Sequence, residues 1–391
     1  MQPVDEDAPL RGLRVVEFGQ YIAAPAAAQT LADLGAEVIK VESPAGDAAR
    51  TVGWTRDAFG PMFTAYNRGK RSVALDLRQS AAREQAQRLA CSADVVLQNA
   101  RPGAMDKLGL GAERLMALAP RLVYGQVSGF GQRGAASQRP GLDIAAQAES
   151  GMMSLNGEAD RDPVRVGFTV VDALAAQTLA TGVLAALVRR GVQGRGALVD
   201  LSLIDVAVTA LANAWAEYGL TGSLPRRRGN GQPLAAPAAD AVATQDGMVV
   251  VSAYTEDHFA RLCAAIGRPE LASDPRFARN AGRVQHRAAL LDLLRDAFGG
   301  MRSEQVCALL TDAGVVVGAV RGMDQVQAGQ GGVSADLFVA VAAAGREAVR
   351  VPGQPLAMPG VRRGGGRLPA IGEHTEEVRA ELDAREAAGA G

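Results

Sequence analysis

The chain has 391 residues, 48% of them hydrophobic, with 41 Lys+Arg against 42 Asp+Glu and a formal net charge of -1. That length exceeds what one hydrophobic core usually fills, so two domains are expected, each able to fold without staples. The near-zero charge offers no general field for nucleic acid or an anionic membrane. The most apolar runs are broken by Gly, Arg or Asp before spanning length, so a soluble, cytoplasmic chain with no nucleic-acid or membrane partner is expected.

After the acidic opening MQPVDEDAPLRG, short β-rich runs alternate with helical patterns: LRVVEF, AAPAAAQTLADLG, AEVIKVE, SAAREQAQRLACS, ADVVLQN and RLVYGQVSG. Such alternation predicts right-handed βαβ units and a mostly parallel sheet covered by helices, an α/β, Rossmann-like region without the Rossmann glycines. An extended stretch VRVGFTVV then leads into the apolar helix DALAAQTLATGVLAALVRR, the turn-rich GVQGRG, a strand ALVDLSL and the helix IDVAVTALANAWAEYGL. In that last helix Trp215 has helical spacing with other apolar residues and reads as core. Pro, Gly and Arg crowd together in TGSLPRRRGNGQPLAAP, which marks a domain boundary. Beyond it, DAVATQDGMVVVSA predicts a hairpin turning at Asp246-Gly247, followed by helices around EDHFARLCAAIG, RAALLDLLRDAF and SEQVCALLTDAG, a smaller α+β domain. The expected organisation is 1–224 for the first part of the large domain, 225–330 for the small domain, and 331–391 for a Gly-rich segment ending in a turn and a last helix.

Cys91, Cys263 and Cys307 lie far apart, and His258, His286 and His374 form no ligand spacing with carboxylates, so no metal site is expected. No GxSxG elbow, Walker loop or GxGxxG fingerprint occurs. Among 41 basic residues only Lys40, Lys70 and Lys107 are lysines, all in the first third of the chain. Lys40 closes a strand-like run and the other two stand in loop contexts, so cations near the carboxyl ends of strands would suit a phosphate-bearing ligand, although solvated surface charge is the plain alternative.

Asp172 stands alone at the head of the long apolar helix. A carboxylate on the first turn sits at the positive end of the helix dipole, so it should stay ionised and could serve as a nucleophile. The same position equally suits an N-cap that only holds a helix end.

The order and spacing of several segments resemble the class III coenzyme A transferases, the family of formyl-CoA:oxalate and carnitine CoA-transferases. They are LRGLRVVEFGQYIAAPAAAQTLADLGAEVIKVESP, NRGKRSVALDLR, ADVVLQNARPGAMDKLGLG, GLDIAAQAESGMMSLNG, the Asp172 helix with GRGALVDLSLIDVAV, and PAIGEHTEEV. The resemblance implies an enzyme that moves coenzyme A from an acyl-CoA to a free carboxylic acid through aspartyl anhydride and aspartyl-CoA thioester intermediates, with Asp172 as nucleophile and no tightly bound cofactor. It implies coenzyme A contacts from Tyr21, Ile22, Ala23, Leu75, Arg78, Asn99, Ala100 and Lys107. Relatives commonly carry an aromatic residue at position 100, so the backbone of that segment becomes the expected contact. Gln20 and the loop Arg228-Gly229-Asn230-Gly231-Gln232-Pro233 are implied at the substrate, the loop as a lid or a turn. Asn67, Lys70 and Arg71 are read as ligand contacts or as supports of the fold, and Trp54, Tyr66 and Gln147 as further pocket candidates. An interlocked homodimer is implied, with the large domain built from both ends of each chain. α-Methylacyl-CoA racemases share this fold but need a second proton-transfer group, a histidine in a G-H-D motif. Here that motif reads Gly141-Leu142-Asp143, which disfavours racemisation. A CoA-binding relative without activity is the other alternative.

Overall fold

The computed structural model describes residues 6–55, 59–232, 236–343, 345, 347–361 and 364–389. Six short strands make the central sheet: β1 (Arg14–Glu17), β2 (Glu37–Glu42), β3 (Arg71–Ala74), β4 (Val95–Gln98), β5 (Val123–Ser128) and β6 (Leu198–Ser202). Their order is β3-β2-β1-β4-β5-β6, and every neighbouring pair is parallel. The run RVVE of β1 and the run VVLQ of β4 are buried throughout, as strands covered on both faces must be.

Alternation decides which residue serves which face. Val15, Val38, Val95 and Val123 join one core with the helices Ala23–Asp33 and Val170–Gln193. Val16, Ile39, Val96 and Tyr124 join the other, with the helix Ser80–Cys91 and with Val378 and Leu382 of the C-terminal helix Thr375–Gly389. That last helix is also tied by charge, since Arg14 and Arg71 both reach Glu381 and Arg88 reaches Asp383 and Glu386.

The chain divides into two compact units, one of Met1–Met152, Arg165–Ala216 and Asp336–Gly391, the other of Met153–Val164 and Glu217–Ala335. The short stretch 153–164 thus belongs with the second unit, which no composition shift announced. The second unit carries an antiparallel sheet of β7 (Asp240–Ala243), β8 (Met248–Ser252) and β9 (Val316–Ala319). Its core is built from Val249, Val251, Phe259, Leu262, Leu294 and Phe298. In the first unit β10 (Phe338–Ala342), β11 (Val349–Pro352) and β12 (Gly366–Arg367) form a second small sheet.

Among the described residues one helix, Val170–Gln193, is long and apolar enough to cross a membrane by length and composition. Its buried residues Val171, Ala175, Leu179, Val183, Ala186 and Arg190 recur at helical spacing and cover β5 and β6, the pattern of a sheet-covering core helix. VRVGFTVV, expected as an extended stretch, joins no ladder: residues 162–168 are irregular and the helix opens at Val170.

Candidate functional site

In a sheet of this order the chain leaves β1 on one side and β4 on the other, and the crevice between their carboxyl ends is where ligands of doubly wound folds bind. The loop after β1 is held there in a strained shape. Tyr21 has φ of 63°, a left-handed value that non-glycine residues adopt at a cost of about 1–2 kcal/mol. Asn99, just beyond β4, grips the peptide of Gln20 from both sides, its Oδ1 accepting the Gln20 N–H at 2.9 Å and its amide donating to the Gln20 carbonyl at 2.8 Å. Asp47 accepts the Tyr21 N–H at 3.3 Å. Gly19 is required because a Cβ there would meet that of Ala24 at 2.7 Å, where the first helix begins.

Beneath this loop lies a buried charge network. Glu17, at the end of β1, receives both Lys40 and Lys70, and all three side chains are 0% exposed. Lys40 also reaches Asp47 at 2.8 Å and the Gly19 carbonyl at 2.8 Å, while Lys70 reaches Asn67 and the Pro25 carbonyl at 2.9 Å each. Two lysines and two carboxylates neutralise one another, as burial of charge demands. Burial pulls both ammonium groups down; at Lys40 the charges of Glu17 and Asp47 outweigh it and raise the group, whereas Lys70 falls to about 8. Asp47 is anchored in turn by Glu42, which also holds Arg50 over the Phe63 ring at 3.6 Å.

This corrects the reading of the lysines as a phosphate clamp. Lys40, Lys70 and Asn67 support the loop from inside the fold, and only Lys107 is exposed. Arg71 is likewise engaged, with Glu37 and Glu381. Arg78 is exposed and paired with Asp76 at 2.7 Å, a pairing worth little in water. Ile22, Ala23 and Leu75 are buried, so they can offer a ligand only backbone. The Ala100 N–H is taken by the Gln98 side chain at 2.6 Å. The first helix has no side-chain cap at its N-terminus, so the amides of Ala23 and Ala24 remain available there.

Asp172 lies on the first turn of its helix but is not its cap. Thr169 occupies the N-cap position with no side-chain bond, and the capping is done from another element. Asp143, opening the helix Asp143–Glu149, accepts the N–H of Val171 at 2.7 Å and of Asp172 at 3.3 Å on Oδ2, while Gln147 donates to Oδ1 at 2.6 Å. Gln147 also accepts the Val166 N–H at 2.8 Å. The helix-end amides expected to keep Asp172 ionised are therefore spent on Asp143. Burial, and then the charge of Asp143, raise the Asp172 carboxyl from 3.8 to about 7, so it is only partly ionised near neutrality. Tyr66 is near enough to feel it: burial and then the Asp172 charge raise the phenol.

Helices of right-handed crossovers run antiparallel to their strands, so the helix joining β5 to β6 begins at the carboxyl edge of the sheet. Val171 accordingly shares a core with Ile22 and Ala23. Asp172, Tyr66, Gln147 and the Gln20–Tyr21 loop thus belong to one edge of the first unit. Trp54 is 72% exposed in the same unit. Asp143 was missed in the sequence, where attention fell on Leu142 before it; a second carboxylate opening a short helical pattern was the available signal.

The residues Gly229, Asn230, Gly231 and Gln232 lie in the second unit; Pro233 lies outside the described residues. Gly229 has φ of 58°, its N–H donates to the Gly157 carbonyl at 3.0 Å, and a Cβ there would meet the Glu158 carboxylate at 2.6 Å. Gln232 accepts from the Tyr254 hydroxyl. The segment is a packed turn.

The family model CoA-transferase family III matches residues 10–375. The probable fatty acyl-CoA transferase of Mycobacterium tuberculosis is 39% identical over 320 residues, 79% of this chain and 81% of that protein. The succinate–glutarate CoA-transferase of Agrobacterium fabrum is 34% identical over 387 residues, 96% of each. A crystal structure of a CAIB/BAIF family protein from Brucella suis superposes with a TM-score of 0.84 at 35% identity, covering 96% of this chain and all of that one.

Proposed function

The chain belongs to CoA-transferase family III and is a CoA-transferase, and from that premise we propose that Asp172 is the nucleophile. One observation carries the reading: Asp172 is a half-buried carboxylate at the carboxyl edge of the sheet that no hydrogen-bond donor of the described residues stabilises. A carboxylate so placed is basic and poorly solvated, which suits attack on an acyl carbon.

In the proposed sequence an Asp172 oxygen attacks the thioester carbonyl, the C–S bond breaks, and a mixed anhydride forms with release of CoA thiolate. The thiolate then attacks the aspartyl carbonyl, giving an aspartyl-CoA thioester and the free donor acid. The incoming carboxylate attacks that thioester, and the returning thiolate takes the new acyl group, restoring Asp172. Every step exchanges one acyl acceptor for another, so activation is conserved without ATP. Coenzyme A is placed in the crevice after β1 and β4, with Tyr21, Asn99 and Ala100 shaping it by backbone and Arg78 and Lys107 as exposed cations for phosphate. Gln20, in the same loop as Tyr21, is proposed to face the substrate. Several relatives are named for succinyl-CoA or for glutarate, mesaconate and oxalate, which supports a short dicarboxylic acid as acceptor here.

We also infer a homodimer. On the helix Val170–Gln193 the positions Leu174, Thr178, Thr181, Ala185, Val188 and Val192 form one exposed, uncharged stripe opposite the buried one, the kind of face that is ordinarily covered.

The test pairs succinyl-CoA and acetyl-CoA with a panel of carboxylates, then repeats the best pair with Asp172→Ala and with hydroxylamine trapping. Transfer is expected to fall by roughly 10³-fold or more in the variant, as for loss of a nucleophile, and the trapped adduct to map to Asp172. Full activity in Asp172→Ala would refute the mechanism.

A further inference from the structure

We infer that Asp143 is a positioning residue for the transfer reaction, clamping the first turn of the Asp172 helix while setting a second negative charge against the reacting carboxylate. This rests on the reading of Asp172 as nucleophile. Asp143 is 3% exposed, and its oxygens receive three N–H groups, two of them from residues 28 and 29 positions further along the chain. With Gln147 accepting the Val166 N–H, the irregular approach to the helix and its first turn are tied to one short helix at several points. A neutral cap could still accept the two helix amides on one oxygen. What an aspartate adds is charge, and it adds it next to another carboxylate in a largely buried place, which is costly unless used.

The reaction supplies a use. Repulsion between Asp143 and Asp172 exists only while Asp172 is an anion. Acylation converts Asp172 to a neutral anhydride or thioester, so the repulsion is present in the free enzyme and absent from both covalent intermediates. That favours covalent-bond formation and makes Asp172 the more basic nucleophile.

Among the described residues, the titratable groups coupled by charge to Asp172 are Asp143 and the Tyr66 hydroxyl, from the helix Pro61–Tyr66. The other elements packed on its helix direct their titratable groups to partners of their own: Asp33 to Arg68, Tyr124 to the Leu110 carbonyl, Asp200 to Gln126 and Asp205 to Ser202. Glu149, on the Asp143 helix, pairs with Arg139.

The experiment compares pH profiles of kcat/KM for the donor and acid pair selected by the screen, in wild type, Asp143→Asn and Asp143→Glu, with Asp172→Asn as reference. Asn can keep the oxygen that accepts the two helix amides, gives up the bond from Gln147 and removes the charge, so the acid limb is expected to move down by about one pH unit and the high-pH plateau to fall about tenfold. Glu keeps the charge and displaces it, so the plateau falls while the limb stays. A purely structural Asp143 would lower the plateau in Asp143→Asn and leave the limb in place, and that result overturns the inference. If Asp143→Asn does not fold, Asp143→Ser, which can cap without charge, decides: a lowered limb supports the inference and an unmoved one overturns it. Activity surviving in Asp172→Asn would instead sink the nucleophile reading, so the two failures are distinguishable.

Discussion

At Asp172, what helps the chemistry weakens the fold. The carboxyl titrates near 3.8 when the chain is unfolded and near 7 in the native state, so between those values the native protein holds a proton that the unfolded chain has released. Stability therefore falls as pH rises through that window, and the full cost is present above it. Asp172→Asn is expected to stabilise the native state at pH 8 by on the order of a few kcal/mol before solvent screening reduces it, read as a higher melting temperature, and to change it little at pH 4. A gain of equal size at both pH values would contradict the raised carboxyl. Sequence alone singled out Asp172 by its place before an apolar helix. It placed the ionisation on the wrong side because the partner amides go to Asp143, which is 29 positions away and touches Asp172 only in the folded chain.

At the scale of elements, the loop Phe18–Ile22 shows how strands and side chains from distant positions build one edge. Its left-handed Tyr21 is kept by Lys40 from within β2, Asp47 from the loop after β2 and Asn99 just beyond β4. Asn99→Ala leaves the Gln20 N–H and carbonyl without their partner, and a loss of about 1–2 kcal/mol is expected. With the loop free to relax, KM for acyl-CoA should rise several-fold while kcat changes less, measured by steady-state kinetics beside a thermal melt. An unchanged KM would remove the loop from the coenzyme A site. The strands themselves were legible, because Val- and Ile-rich runs bounded by Gly, Asp and Asn have few other uses, and so was the hairpin at Asp246-Gly247, where the Thr244 N–H meets the Gly247 carbonyl at 3.0 Å. In VRVGFTVV the pattern did not mark where the helix begins: Val166 packs on the core and is held by Gln147, and Val170 and Val171 already belong to the helix.

At the scale of the whole molecule, the Asp172 helix has two apolar faces and one sheet. The buried face covers β5 and β6; the stripe from Leu174 to Val192 has no cover among the described residues. A second copy supplies one in the proposed dimer. Light scattering should give twice the chain mass of 40.4 kDa, and Val188→Glu with Val192→Glu should shift it toward the monomer, because each buried charge without a partner costs several kcal/mol. A wild-type monomer would refute the dimer.

From the sequence by itself follow the alternating parallel sheet, the family and the aspartate worth testing, because these depend on local pattern and on the order of segments along the chain. Only the tertiary structure decided that Lys40 and Lys70 are internal counter-ions, that Asn99 holds a peptide, and that Asp143 caps the Asp172 helix. Charge, burial and hydrogen-bond supply at a site are sums over neighbours in space. Residues as far apart as Glu17 and Lys70, or Asp143 and Asp172, become neighbours only when the strands and helices between them have packed.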